Sequence, residues 1–146
     1  MLSINEQQFD RFAAKIKEVA TEDGHVALHG LTFKAGTDDL RHSPAIEVLQ
    51  RLEQSGTKVV AYDPVADDAT LRAMYQEVKA EMRSDMYSAI EGASVIAVLT
   101  EWPEFAELDF DKIGEIANGK VIVDARNVID SSIAQRRGFT YRGIAS

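Results

Sequence analysis

A chain of 146 residues is long enough for one well-packed domain with a helical arm. Twenty-four Asp and Glu against sixteen Lys and Arg leave a net charge of −8, which argues against a nucleic-acid or membrane-surface binder and requires any cations that grip an anionic ligand to be placed locally. There is no cysteine, which excludes disulfides, thiolate metal sites and a cysteine nucleophile on this chain.

The first segment reads as an amphipathic helix, with Phe9, Phe12, Ala13, Ile16, Val19 and Ala20 at three- and four-residue steps. Ser3 followed by Glu6 resembles a capping box, and Gly24 is the expected stop. The apolar face has two readings, packing on the domain or packing on a partner or a further part of a larger chain. Charges at Glu6, Asp10, Arg11, Lys15, Lys17 and Glu18 exclude a signal peptide, and no apolar run approaches the ~20 residues of a bilayer span, so the cytoplasm is the expected compartment.

An alternation follows. Val26-Ala27-Leu28 is a short apolar run, and Ser43-Pro44 opens a second helix as N-cap and first helical residue. Ile46, Leu49 and Leu52 form the face of that helix and Gly56 ends it. A second run, Val59-Val60-Ala61-Tyr62, stops at Asp63-Pro64. A helix starting at Asp67 or Asp68 carries Leu71, Met74 and Tyr75, a short strand falls within 78–82, and Ser84 or Asp85 caps a short helix that ends at Gly92. Val95-Ile96-Ala97-Val98-Leu99 is the strongest strand signal. Helices over 102–105 and 110–117 stop at Asn118-Gly119, Val121-Ile122-Val123 is a further buried strand, and a helix over 131–137 leads to an edge strand over 139–141. The strand runs are continuously apolar, as strands covered on both faces are. Strands alternating with helices predict a doubly wound α/β fold with a mostly parallel sheet and helices on both faces. It is Rossmann-like, yet without the glycine-rich loop.

Ligands of such sheets bind beyond the carboxyl ends of the strands. There the sequence places Lys34 and Arg41 after the first strand and Arg126 after the Val121 strand, with Arg41 just ahead of a helix N-terminus. Three cations at one edge of an acidic chain would suit a phosphate or diphosphate. The plainer reading is that loop cations are solvated, with Asp38, Asp39 and Asp124 as candidate partners of Arg126. Gly30 and Gly36 do not make G-x-G-x-x-G, and without that pattern Asp63 reads as a turn residue before a ribose-binding acid. His25 and His29 sit at a strand, so they share no helical face on which to hold a metal, and local packing and solvent contacts account for them. His42 reads as exposed and Trp102 as a core or rim residue. Asp38-Asp39 with Thr100 gesture at a phosphoacceptor receiver domain, although Arg126 stands where that class needs Lys.

The segment Gly30-Leu31-Thr32-Phe33-Lys34-Ala35-Gly36-Thr37-Asp38-Asp39-Leu40-Arg41-His42-Ser43-Pro44 resembles the G-L-x-F-K-x-x-T-D-D-x-R-x-S-P signature of the nucleotide-sugar dehydrogenases, the UDP-glucose/GDP-mannose dehydrogenase family. Tyr62-Asp63-Pro64, then Leu99-Thr100-Glu101-Trp102 with Phe105, then Val123-Asp124-Ala125-Arg126-Asn127 agree in order. The resemblance runs from Val26 to the C-terminus, is nearest in look to the UDP-glucose 6-dehydrogenases, and covers only the family's C-terminal, UDP-binding domain.

The resemblance implies residues 1–22 as a leading helix that joins the family's central domain and residues 23–146 as the UDP-binding domain. It implies that Lys34 contacts the diphosphate-sugar region of a UDP-sugar, that Phe33 adds backbone or packing contacts, and that Arg126 helps hold the nucleotide sugar. Arg41 would approach NAD across a domain cleft. Ala125 stands where the family has Gly, and a methyl there would crowd the backbone near the ligand. The family oxidises a primary alcohol to a carboxylate with two NAD⁺ and a Cys nucleophile. That Cys, the glycine-rich NAD domain and the central domain are absent from this sequence, so the chain alone is expected to be inactive, either as an excised domain or as a stand-alone binding or regulatory module. The remaining domains of such an enzyme are the implied partners. A homodimer is compatible with the resemblance, its main contacts lying in the central domain.

Overall fold

The computed structural model describes residues 4–32, 36, 40–41 and 43–143. In chain order the elements are α1 (Ile4–Val19), β1 (His25–His29), α2 (Pro44–Gln54), β2 (Val59–Tyr62), α3 (Asp68–Met74), β3 (Glu81–Met82), α4 (Met86–Ile90), β4 (Ala93–Val98), α5 (Pro103–Ala106), α6 (Phe110–Ile116), β5 (Val121–Asp124), α7 (Ser131–Arg136) and β6 (Thr140–Gly143). The Ser3–Glu6 capping box lies outside the described side chains.

The six strands form one sheet in the order β3-β2-β1-β4-β5-β6, and every neighbouring pair is parallel. The continuous apolar runs explain this, because alternate residues of each strand serve opposite faces. Val26 and Leu28, Val95 and Ala97 enter one core with Phe12 and Ile16 of α1, Ile46, Leu49 and Leu52 of α2, and Leu71 of α3. Ala27, Ile96, Val98 and Ile122 enter a second core with Ile90, Phe105, Ile113 and Ala134. The doubly wound expectation therefore holds, and α1 packs its apolar face on this domain. Asp67 and Asp85 are the caps where the sequence left two choices each, their carboxylates accepting from Thr70 N–H at 2.9 Å and Ser88 N–H at 2.8 Å.

The strand order also corrects the receiver reading. Receiver domains use the order 2-1-3-4-5, with β3 beside β1, whereas here β1 lies between β2 and β4. Thr100 is buried and donates its hydroxyl to Thr32 O at 3.3 Å. Asp38 and Asp39 lie outside the described residues.

Gly24 does not end α1, which stops at Val19. Gly24 and Gly119 instead permit close approach on either side of Ser94: a Cβ on Gly24 would lie 2.7 Å from Gly92 O, and one on Gly119 would lie 2.4 Å from Ser94 O. Real Cβ atoms do not approach backbone oxygen so closely, so the chain must shift. Gly119→Ala is expected to cost about 2 kcal/mol in a urea unfolding measurement, within the range for overpacking. An unchanged midpoint would show that the 117–120 turn moves freely.

Candidate functional site

β1 and β4 are neighbours whose chains leave the sheet in opposite directions, β1 toward β2 and β4 toward β5, so the carboxyl edge between them is the topological switch point. At this point Gly30 has φ +100°, and a Cβ there would lie 2.4 Å from Thr100 Oγ1. Only glycine lets the first loop leave the sheet so close to β4.

Two buried carboxylates organise the edge. Asp63, after β2, accepts at Oδ2 from the N–H groups of Leu31 and Thr32 (2.8 and 3.2 Å) and at Oδ1 from those of Val65 and Ala66 (2.9 Å each). It is a turn residue, as read, and it also fastens the root of the loop after β1. Asp124, after β5, accepts at Oδ1 from Arg126 N–H at 3.0 Å and at Oδ2 from Ile129 N–H at 2.8 Å and the Tyr141 hydroxyl at 2.9 Å. Burial, with help from the Asp124 carboxylate, pushes the Tyr141 phenol above its ordinary pKa, so Tyr141 remains a donor.

The 31–43 loop is held at both ends. Trp102, buried in the second core, donates Nε1–H to Thr32 Oγ1 at 3.3 Å, which gives the indole its polar partner. Ser43 sits at the N-cap position of α2 as expected, but its hydroxyl donates to Leu31 O at 2.6 Å and makes no cap bond. The Tyr75 hydroxyl donates to Leu40 O at 3.0 Å. Phe33, Lys34 and His42, between these anchors, lie outside the described residues.

Of the three expected cations, the structure describes two. Arg41 is exposed, two residues ahead of Ser43. Arg126 follows β5, and Asn127 after it has φ +56°, a left-handed turn that Asn tolerates. The Arg126 guanidinium meets Glu101 Oε2 at 2.8 Å, where the sequence had offered Asp38, Asp39 or Asp124. Asp124 takes the backbone N–H of Arg126 and leaves its side chain to Glu101. Ala125, which stands where the family has Gly, is partly buried and packs against the first core.

His25 and His29 bind α4. The ring of His25 donates Nε2–H to Ala89 O at 2.7 Å and that of His29 to Met86 O at 3.0 Å. Among the described residues no group of three or more His, Cys, Asp or Glu could hold a metal ion, and no helix is long and apolar enough to cross a membrane. Asp63, where a ribose-binding acid would lie in a dinucleotide site, spends both oxygens on four backbone donors.

The profile of the UDP-glucose/GDP-mannose dehydrogenase family, UDP binding domain, matches residues 27–131. The chain is similar to a UDP-glucose 6-dehydrogenase of Pseudomonas aeruginosa, 42% identical over 123 residues that cover 82% of this chain and 27% of the relative. It is also similar to one from Rhizobium meliloti, 33% identical over 146 residues, covering 98% of this chain and 33% of the relative. Among solved structures it resembles a UDP-glucose dehydrogenase from the archaeon Pyrobaculum islandicum, with TM-score 0.73, 28% identity, and coverage of 95% of this chain and 30% of that one. The chain thus spans about a third or less of the length of these relatives.

Proposed function

The chain belongs to the UDP-glucose/GDP-mannose dehydrogenase family through its UDP binding domain, and on that premise we propose that it binds a UDP-sugar at the carboxyl edge of its sheet as part of an NAD-dependent UDP-glucose 6-dehydrogenase-type enzyme. Such an enzyme oxidises the sugar C6 alcohol to a carboxylate. Lys34 and Arg126 grip the diphosphate-sugar region, Phe33 lends backbone or packing contacts, and Arg41 reaches toward an NAD held mainly by another domain. Residues 1–22 connect to a central domain and residues 23–146 form the UDP-binding unit. The chain itself contributes binding and orientation. With no cysteine it has no thiol to trap an aldehyde, and alone it is inactive in the oxidation.

The observation that carries this reading is the span of the family match. Residues 27–131 run from β1 to the start of α7 and so include the loops that follow β1, β2, β4 and β5 at the carboxyl edge. The anchoring of the Arg126 backbone on buried Asp124 supports it, since a cation that recognises phosphate works best from a main chain that does not move.

Titration calorimetry with UDP tests the reading. Arg126→Ala and Lys34→Ala are each expected to weaken UDP binding by about 1.5–3 kcal/mol, the range for hydrogen bonds to charged groups. The Arg126 side chain is 42% exposed, so its removal should leave the unfolding midpoint nearly unchanged. A wild-type chain that takes up no UDP, or equal affinities in wild type and both variants, would overturn the proposal.

A further inference from the structure

We propose that Glu101 sets how strongly this edge takes a nucleoside diphosphate, by serving as the resident anion of the Arg126 guanidinium. The inference rests on the UDP-binding reading of the same edge and adds a residue that the sequence-based site did not contain.

The pairing is a product of the sheet. Glu101 follows β4 and Arg126 follows β5, and those strands are neighbours, with Val98 beside Asp124. The two side chains meet through Arg126 Nη2 and Glu101 Oε2 at 2.8 Å, with side-chain exposures of 42% and 37%. The contact is one of charge, without the alignment of a hydrogen bond. Glu101 Oε2 is itself shielded from solvent while both side chains are partly exposed, and it makes no hydrogen bond there, so a phosphate offering two oxygens to the guanidinium fork forms the stronger contact.

The main chain at Arg126 is held separately. Asp124 accepts from Arg126 N–H and from Ile129 N–H, and Asn127 turns the chain in its left-handed conformation. A change of partner at the guanidinium therefore requires only side-chain rotation. Glu101 keeps the cation at the edge and opposes the incoming anion, both by holding Arg126 and by its own like charge. Affinity for a diphosphate then reports the difference between two anions competing for one cation, and this difference weakens as salt screens exposed charges.

NMR titration of amide shifts with UDP, UMP and uridine, on wild type and on Glu101→Gln, tests this. Glu101→Gln removes the charge and keeps the shape. It is expected to tighten UDP binding roughly 3–10-fold in low salt, UMP less, and uridine not at all, with the gain shrinking at about 0.5 M salt. Glu101→Asp keeps the charge on a shorter arm and is expected to fall between wild type and Gln, so the test survives if one variant folds poorly. Unchanged or weaker UDP binding by Glu101→Gln, or an equal change for uridine, overturns the role of Glu101 while leaving the UDP site standing. A wild-type chain that shifts with none of the three ligands overturns the UDP reading, and this inference with it.

Discussion

Asp63→Ala is expected to lower the unfolding free energy by about 3–5 kcal/mol in urea denaturation, an unusually large loss for one polar side chain. The carboxylate is 6% exposed and accepts four backbone N–H groups from two loops. Its removal leaves the Leu31, Thr32 and Ala66 donors where water reaches poorly, while Val65 lies at the surface. Each buried donor without an acceptor costs about 1–3 kcal/mol, and local relaxation keeps the total below the full sum. Asn is not a rescue. An ionised carboxylate accepts at both oxygens, whereas an amide would turn its own N–H groups on two of the four donors. Asp63→Asn should therefore also cost at least about 2 kcal/mol. A variant within about 0.5 kcal/mol of wild type would show that Asp63 is an ordinary turn residue with replaceable contacts.

Asp63 also marks the boundary of what can be read from sequence. Its bonds to Val65 and Ala66 are local, two and three residues on, and the Asp63-Pro64 turn expectation contains them. Its bonds to Leu31 and Thr32 span 32 and 31 residues and exist only because β1 lies beside β2. The strands were legible for a related reason: burial on both faces demands continuous apolar runs, and Val95 to Val98 carries that demand in its composition alone. The capping aspartates Asp67 and Asp85 act within three residues of themselves, and the sequence offers each as one of two candidates. The partner of Arg126 was not legible, because Glu101 follows a different strand and carries no local mark, while Asp124 is close in sequence but spends its oxygens on backbone and on Tyr141. Gly24 was misread as a helix stop because close approach to Gly92 O depends on tertiary packing, to which a single sequence gives no access.

His29 shows the same limit with a larger consequence: acidification from pH 7 to pH 4 should remove about 3 kcal/mol of stability through this one side chain. The sequence suggested packing and solvent contacts, yet the ring is fully buried, between Tyr62 and Phe105 with centroids at 5.8 and 5.4 Å. Burial lowers its pKa from 6.5 to about 4, and the Met86 carbonyl and the Asp85 charge offset this only in part. The unfolded chain therefore binds a proton at higher pH than the folded chain does. Stability is complete above pH 6.5, falls as the pH drops from there to about 4, and loses nothing further through this group below that. One pKa unit is worth about 1.4 kcal/mol, which gives the total. Carboxylates titrate over part of this window, so the measurement must be a difference. His29→Gln offers an amide N–H to Met86 O from a similar reach and cannot be protonated. Urea denaturation of both proteins at pH 7.5, 5.5 and 4 should show the wild type losing about 3 kcal/mol more than the variant. Parallel profiles would mean that the ring titrates normally and is reached by water. Because His29 immediately precedes Gly30, the proton would act at the point where the 31–43 loop leaves the sheet, so acid should disturb this edge early in unfolding.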